Sequence, residues 1–284
     1  MGDRARVFYR FGHIGDDFHG SQIQPDVTTV QGEFLKVFHK NKFTREEMPI
    51  QMASRTDAGV NVRVNGGIVD IEEKRWLGMQ EKGFLKATRD RLPDSIALFD
   101  ARRVADDWLP RHALNRTYRY RMEAMERWQE PDHESFTRWC SIFEGEHDWS
   151  NLSRKEEGKN YVRVVESCKP WYSGDRLVGF EITGTAFVWN QVRRIASALL
   201  GLVSGKITAE RVKLALHEPT VYDDLGLADS DWLILWNVSW PEIEDLQTDD
   251  PILDSPCGNL RRWRELARLE QKAILHRMWD QLGS

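Results

Sequence analysis

Apolar and polar positions along this chain switch repeatedly between a period of two and a period of about three and a half, the pattern of strands and helices in alternation. Arg6-Val7-Phe8-Tyr9-Arg10-Phe11 alternates polar and apolar residues and predicts a half-buried strand. Ile50-Gln51-Met52-Ala53 and Gly67-Ile68-Val69-Asp70-Ile71 predict two more, separated by the turn signal Ala58-Gly59. Thr28-Thr29-Val30-Gln31 offers a capping-box start to a helix on which Val30, Phe34, Val37 and Phe38 share one face. A second helix is expected over 77–91, stopped by Pro93, and a strand over 96–104.

The same grammar returns further along. Strands are expected over 117–122, 162–172 and 177–183. A helix over 189–203 carries a stripe of Val192, Ile195, Ala196, Leu199 and Leu200, ended by Gly205. Beyond Pro256, residues 260–282 predict one Arg-rich helix with Trp263, Ala267, Ile274 and Met278 turned inward. The organisation expected is an N-terminal α+β domain over 1–105, a C-terminal α+β domain over 106–245, and an acidic linker with a helix over 246–284.

Composition narrows the class. At 284 residues, 40% of them hydrophobic and with 12 Trp and 12 Phe, the chain can build two cores of ordinary size. No run approaches the roughly 20 apolar residues of a membrane helix, and Met1-Gly2-Asp3-Arg4 lacks the apolar region of a signal peptide, so a cytoplasmic protein with no membrane partner is expected. Arg6 at the sixth position does not fit a myristoylation signal. Cys140, Cys168 and Cys257 are scattered, as thiols are in a reducing compartment. The eight histidines form no metal-ligand spacing, so no bound metal is expected, and no Gly-rich phosphate loop occurs.

The candidate chemistry lies in Ser54-Arg55-Thr56-Asp57-Ala58-Gly59, where a strand hands over to a loop. Arg55 beside Asp57 favours the ionised carboxylate, and an ionised, oriented carboxylate can attack carbon. The same residues also fit an ordinary surface turn with an Arg–Asp pair.

Net charge speaks against a nucleic-acid partner as a whole, because −5 gives little steering toward phosphate. Locally the balance differs. Arg102, Arg103, Arg111, Arg116, Arg119 and Arg121 are interleaved with Tyr118 and Tyr120, Arg193-Arg194 adds a pair, and acid gathers late, from Glu242 to Asp254. These arginines suit either a basic groove or solvated strand faces.

Taken together, five ordered segments resemble the TruA-type tRNA pseudouridine synthases. Arg55-Thr56-Asp57-Ala58-Gly59-Val60 is similar to that family's catalytic loop, R-T-D-A-G-V. Phe18-His19-Gly20-Ser21-Gln22-Ile23-Gln24-Pro25 with Thr29-Val30-Gln31 resembles its N-terminal segment, with Ser21 in place of the usual Trp, a departure bearing on packing rather than chemistry. Pro110-Arg111 and Arg116-Thr117-Tyr118-Arg119-Tyr120 resemble the second motif, with a gap one residue shorter. Phe187-Val188-Trp189-Asn190-Gln191-Val192-Arg193-Arg194-Ile195 resembles the third, and Leu233-Ile234-Leu235 the last strand, preceded by Trp232 where the family has Gly. The likeness covers about 7–240.

The resemblance implies a fold of two related α+β domains around a continuous antiparallel sheet, and an enzyme that isomerises uridine to pseudouridine in the anticodon arm of tRNA, at positions 38 to 40. It implies Asp57 as nucleophile, Arg193 as the partner of its carboxylate, Tyr118 as the aromatic stacked on the target uracil, and Arg55 on the RNA backbone or helping extrude the base. Leu233 and Leu235 are expected as the floor of the uracil pocket, or simply as a core strand. Arg111 and Arg116 of the second motif are expected among the substrate contacts. The family acts without cofactor, as a homodimer. The C-terminal helix lies outside the likeness and is expected to be a packing or dimer element before an RNA clamp. Two other classes remain: a catalytically silent tRNA-binding or folding protein on the same scaffold, and an aspartate phosphatase of the haloacid dehalogenase type. The latter needs D-x-D with magnesium, whereas Asp57 is followed by Ala58-Gly59.

Overall fold

A computed structural model describes residues 4–44, 50–256 and 260–283, the side chains of 260–262 excepted. Met1-Gly2-Asp3 and Cys257, both read above, lie outside the described residues. Among the described residues, nine strands and six α-helices make the fold α+β, as expected. The chain divides into two compact units, the first of Met1–Leu114, Leu235–Asp250 and Gln271–Ser284, the second of Asn115–Ile234 and Pro251–Glu270.

In the first unit the chain runs β1 (Arg4–His13), α1 (Val30–Lys40), β2 (Gln51–Met52), β3 (Asn61–Glu72), α2 (Glu73–Arg89) and β4 (Ile96–Arg103). β1 lies between β3 and β4, antiparallel to both, and β2 adds a short antiparallel pair to β3. Alternate residues of β1, Val7, Tyr9 and Phe11, face the helices because a strand sends every second side chain to one side. Tyr9 and Phe11 each bring their ring within 5.0 Å of Phe34 on α1, and Tyr9 also meets Phe38 edge-on at 5.6 Å. Each such buried aromatic contributes roughly 2–3 kcal/mol.

Two local details differ from the sequence reading. The start of α1 is a single cap and not a box: the Thr29 hydroxyl accepts the Gly32 N–H at 3.2 Å, and the third helical residue, a glycine, has no side chain to reach back. Gln31 instead reaches into the interior, accepting from Ile23 N–H at 3.0 Å and donating to the Ile50 carbonyl at 2.8 Å. α2 begins four residues earlier than the periodicity indicated and breaks at Gln80, whose φ of 49° and ψ of −169° are not helical.

The second unit runs β5 (Asn115–Arg121), α3 (His133–Ser141), β6 (Gly145–Asp148), β7 (Val162–Ser173), β8 (Arg176–Gly184), α4 (Gln191–Val203) and α5 (Ala209–His217), with strand order β5-β8-β7-β6 and antiparallel pairing. Tyr120 stacks on Phe180 across β5 and β8, with 6.0 Å between ring centroids. Of the apolar stripe of α4, Val192, Ile195, Ala196 and Leu199 are buried and Leu200 is half-buried. Cys140 on α3 and Cys168 on β7 are buried thiols, and burial pushes the Cys168 thiol up.

β9 (Leu233–Ser239) passes from the second unit's residues to the first's at Leu235, and α6 (Leu260–Gln281) does so at Gln271. All four residues expected to face inward from α6, Trp263, Ala267, Ile274 and Met278, are buried. In the first unit the Trp279 indole N–H donates to the Arg63 carbonyl at 3.2 Å. In the second, Arg121 donates to the Ala267 carbonyl at 3.2 Å and pairs with Glu270 at 2.6 Å. α6 is thus a packing element of its own chain. Among the described residues no helix is long and apolar enough to cross a membrane.

Candidate active site

Asp57 sits between β2 and β3 on a loop whose backbone is held on both flanks. Side chains alternate along it: Ser54 and Thr56 are buried, Arg55 is exposed and Asp57 half-buried. The Asp57 carbonyl accepts the Val60 N–H at 3.3 Å, closing the turn predicted from Ala58-Gly59. At the base of the loop the fully buried amide of Asn65 donates to the Ser54 carbonyl at 2.9 Å while its oxygen accepts the N–H groups of Ser54 at 3.3 Å and Gly66 at 2.8 Å. One side chain therefore satisfies both the donor and the acceptor of Ser54, groups that are expensive to leave unmade in the interior.

The outer flank is held by Ser21. Its hydroxyl accepts the Thr56 N–H at 2.8 Å, and its own N–H donates to the Thr56 carbonyl at 3.0 Å. Ser21 is 1% exposed and its carbonyl accepts the Gln31 N–H at 2.9 Å, which ties the clasp to the first turn of α1. The departure from the family's Trp at this position changes how the loop is held, because the Ser21 hydroxyl makes a bond to it that the indole of Trp has no acceptor to make. Neighbouring Gly20 has φ of 99°, and a Cβ there would stand 3.0 Å from the Thr56 carbonyl oxygen; one at Gly15 would stand 2.4 Å from the Gly59 carbonyl carbon. Close approach of two backbones fixes glycine at both places.

Beneath the loop, a register shift in β1 between Phe11 and His13 turns the strand at its end. The His13 ring is buried and hydrogen-bonded to the Val60 backbone, and burial drives its pKa down to about 3. A neutral imidazole thus supports the end of the loop.

Tyr118 and Arg116 lie on one face of β5 in the second unit, two residues apart, opposite Ile182 and Gly184 of β8. The Tyr118 ring meets Phe187 edge-on, with centroids 5.2 Å apart and an interplanar angle of 84°. Arg116 donates to the Thr185 carbonyl at 2.5 Å; burial lowers its pKa, opposed by the Tyr118 phenol. Arg193 stands in the first turn of α4, after Asn190 in the left-handed conformation at φ of 66°, and its Nε donates to the Ala228 carbonyl at 2.8 Å. Leu233 and Leu235 are buried on β9, and Arg111 is exposed in the turn at Pro110–His112. The structure thus gathers Arg55 and Asp57 on one loop of the first unit, and Tyr118, Phe187 and Arg116 in one cluster of the second.

Several of the arginines considered for a basic groove are paired within their own unit, some on a carboxylate shared with a second cation, as Glu181 is with Lys169 and Asp100 with Arg10. In the first, Arg103 pairs with Glu73 at 2.5 Å and Arg102 with Asp100 at 3.5 Å. In the second, Arg119 pairs with Glu181 at 2.7 Å under Trp171, and Arg121 is buried between Glu123 and Glu270. A carboxylate this close takes up part of the charge that each of these arginines could offer a ligand. Burial lowers the pKa of Arg121, with Glu270 opposing.

Sequence comparisons agree on one family. Residues 140–241 match the sequence profile described as tRNA pseudouridine synthase. The chain is 30% identical over 244 residues to a tRNA pseudouridine synthase A of Archaeoglobus fulgidus, covering 85% of this chain and 86% of that one. It is 33% identical over 273 residues to the tRNA pseudouridine synthase A of Thermococcus gammatolerans, covering 93% and 96%.

Proposed function

Since the chain belongs to the tRNA pseudouridine synthase A family and is a pseudouridine synthase, we propose that it isomerises uridine in the anticodon stem-loop of tRNA, at positions 38 to 40, with Asp57 as the nucleophile. The observation that carries the assignment is the half-buried Asp57 on a loop pinned at Ser54 by Asn65 and at Thr56 by Ser21. A carboxylate held in this way keeps its approach geometry through the reaction, which is where positional catalysis gains its rate.

The reaction breaks the C1'–N1 bond, turns the freed uracil and forms a C1'–C5 bond; C5 gives up a proton and N1 gains one. Atoms and electrons balance without a co-reactant. In this proposal Asp57 attacks the uridine as an ionised carboxylate, and Arg193 holds that carboxylate in line. Tyr118, braced edge-on by Phe187, stacks on the extruded uracil and replaces roughly 1–3 kcal/mol of lost stacking. Leu233 and Leu235 supply the apolar floor, while Arg55, Arg111 and Arg116 contact the RNA. Family resemblance alone supports a cytoplasmic homodimer.

The test is pseudouridine formation in unmodified tRNA transcripts, read by carbodiimide-blocked primer extension in EDTA, with the wild-type protein and with Asp57→Ala. A stop in the anticodon arm with the wild type alone is the expected result. Binding without any stop in the wild type would leave a silent tRNA-binding protein on the same scaffold.

A further inference from the structure

Two large aromatic side chains of the second unit stand in solvent with a cation over each. Trp189 is 40% exposed and Tyr222 68% exposed. The Arg154 guanidinium lies 4.0 Å from the Trp189 ring centroid, and the Lys155 ammonium 5.6 Å from that of Tyr222. Because Arg154 and Lys155 are consecutive, both pairs hang on one short segment. Exposed aromatic rings beside guanidinium and ammonium groups are the components with which proteins hold unpaired nucleotides: the ring takes the base face, the cation the phosphate.

Both rings are presented by loops that are already fixed. The Gln191 side chain, 1% exposed, accepts the Val188 N–H at 2.9 Å, and the Trp189 carbonyl accepts the Arg154 N–H at 2.9 Å. On the other side the buried amide of Asn151 donates to the Ala215 carbonyl at 3.0 Å and the Val221 carbonyl at 2.9 Å, and its oxygen accepts the Asp223 N–H at 3.3 Å. Neither loop need lose much freedom when a base settles on it, which favours binding.

We infer that Trp189 with Arg154, and Tyr222 with Lys155, form a stacking platform for unpaired nucleotides next to the target uridine. This rests on the function proposed above. The turn leading into α4 sets the spacing: at one end Phe187 braces Tyr118, and two residues on Trp189 faces solvent. A base on Trp189 is therefore a near neighbour of a base on Tyr118. The segment 153–160 has three basic and two acidic residues, so the platform acts by stacking more than by field.

The experiment measures dissociation constants of unmodified tRNA for the wild type, Trp189→Ala, Trp189→Phe and Tyr222→Ala, alongside 2-aminopurine fluorescence with the analogue placed beside the converted uridine. Expected are an approximately tenfold weaker affinity for each alanine variant, near-complete retention with phenylalanine, and quenching by the wild type that Trp189→Ala loses. Affinities within twofold of wild type in both alanine variants, or undiminished quenching by Trp189→Ala, overturn the inference. Should Trp189→Ala fail to fold, Tyr222→Ala decides alone, since its side chain is mostly in solvent. A wild type that neither binds nor converts tRNA would instead remove the function on which the platform depends.

Discussion

Ser21 and Thr56, thirty-five residues apart, are joined by a reciprocal pair of hydrogen bonds, Thr56 N–H to the Ser21 hydroxyl at 2.8 Å and Ser21 N–H to the Thr56 carbonyl at 3.0 Å. Only the first depends on the side chain. Ser21→Ala should therefore leave one buried N–H unmade, at a cost of about 1–3 kcal/mol, and loosen the residue before Asp57. Single-turnover conversion is expected to fall roughly ten- to a hundredfold with tRNA affinity little changed, and Ser21→Thr to recover part of the rate. Equal rates for Ser21→Ala and wild type would show that Asn65 holds the loop unaided.

Asn65→Ala removes two acceptor contacts and one donor contact in a site closed to water. The expected loss is about 3 kcal/mol of stability, measured by urea unfolding, with the midpoint lowered and the slope unchanged.

His13 gives the protein a defined acid sensitivity. Its ring is neutral in the folded state down to about pH 3, whereas in the unfolded chain it takes a proton near pH 6.5. The unfolded state thus binds more protons between these values. This contribution is fully present above about pH 6.5 and is lost as pH falls toward 3, at roughly 1.4 kcal/mol per pH unit. His13→Gln keeps a donor for the Val60 carbonyl and should lose about 2 kcal/mol less than wild type between pH 7 and pH 5. Parallel stability curves for the two proteins would contradict this.

Arg193→Ala should reduce the rate of conversion far more than tRNA binding, because its proposed work is to hold Asp57. Arg193→Lys is expected to restore little, since an ammonium lacks the planar fork of a guanidinium. Binding and single-turnover assays separate the two effects, and equal losses in both would make Arg193 a phosphate contact.

Tyr118→Phe keeps the ring that meets Phe187 and removes only the phenol. Conversion at the wild-type rate would assign Tyr118 to stacking alone. A slow variant that still binds would assign the hydroxyl to proton movement at C5.

Long, strongly periodic elements were readable from the sequence: β1, α1, α4 and the inward face of α6 follow from spacing. The nine-residue α3 was not, because only Phe136 and Cys140 mark its buried side, and α5 and β6 are equally short of apolar signal. The case for Asp57 rests on its neighbours in sequence. The residues that hold its loop did not, since Ser21 and Asn65 act on backbone 35 and 11 positions away, and nothing in a serine or an asparagine states its distant partner. The partners of the arginines are hidden for the same reason: Glu181 and Glu270, which pair with Arg119 and Arg121, lie far along the chain.

The segmented make-up of the first unit has a consequence during synthesis. Asp57 and its clasp leave the ribosome early, yet β9 from Leu235 and the last turns of α6 follow only after all of Asn115–Ile234 has emerged. Domains made in one piece mature in the order of translation; here the interposed unit has its main segment complete first, and the unit that carries Asp57 waits for Trp279 to reach the Arg63 carbonyl. A nascent chain therefore carries the Asp57 loop for most of its elongation without the frame that finishes it.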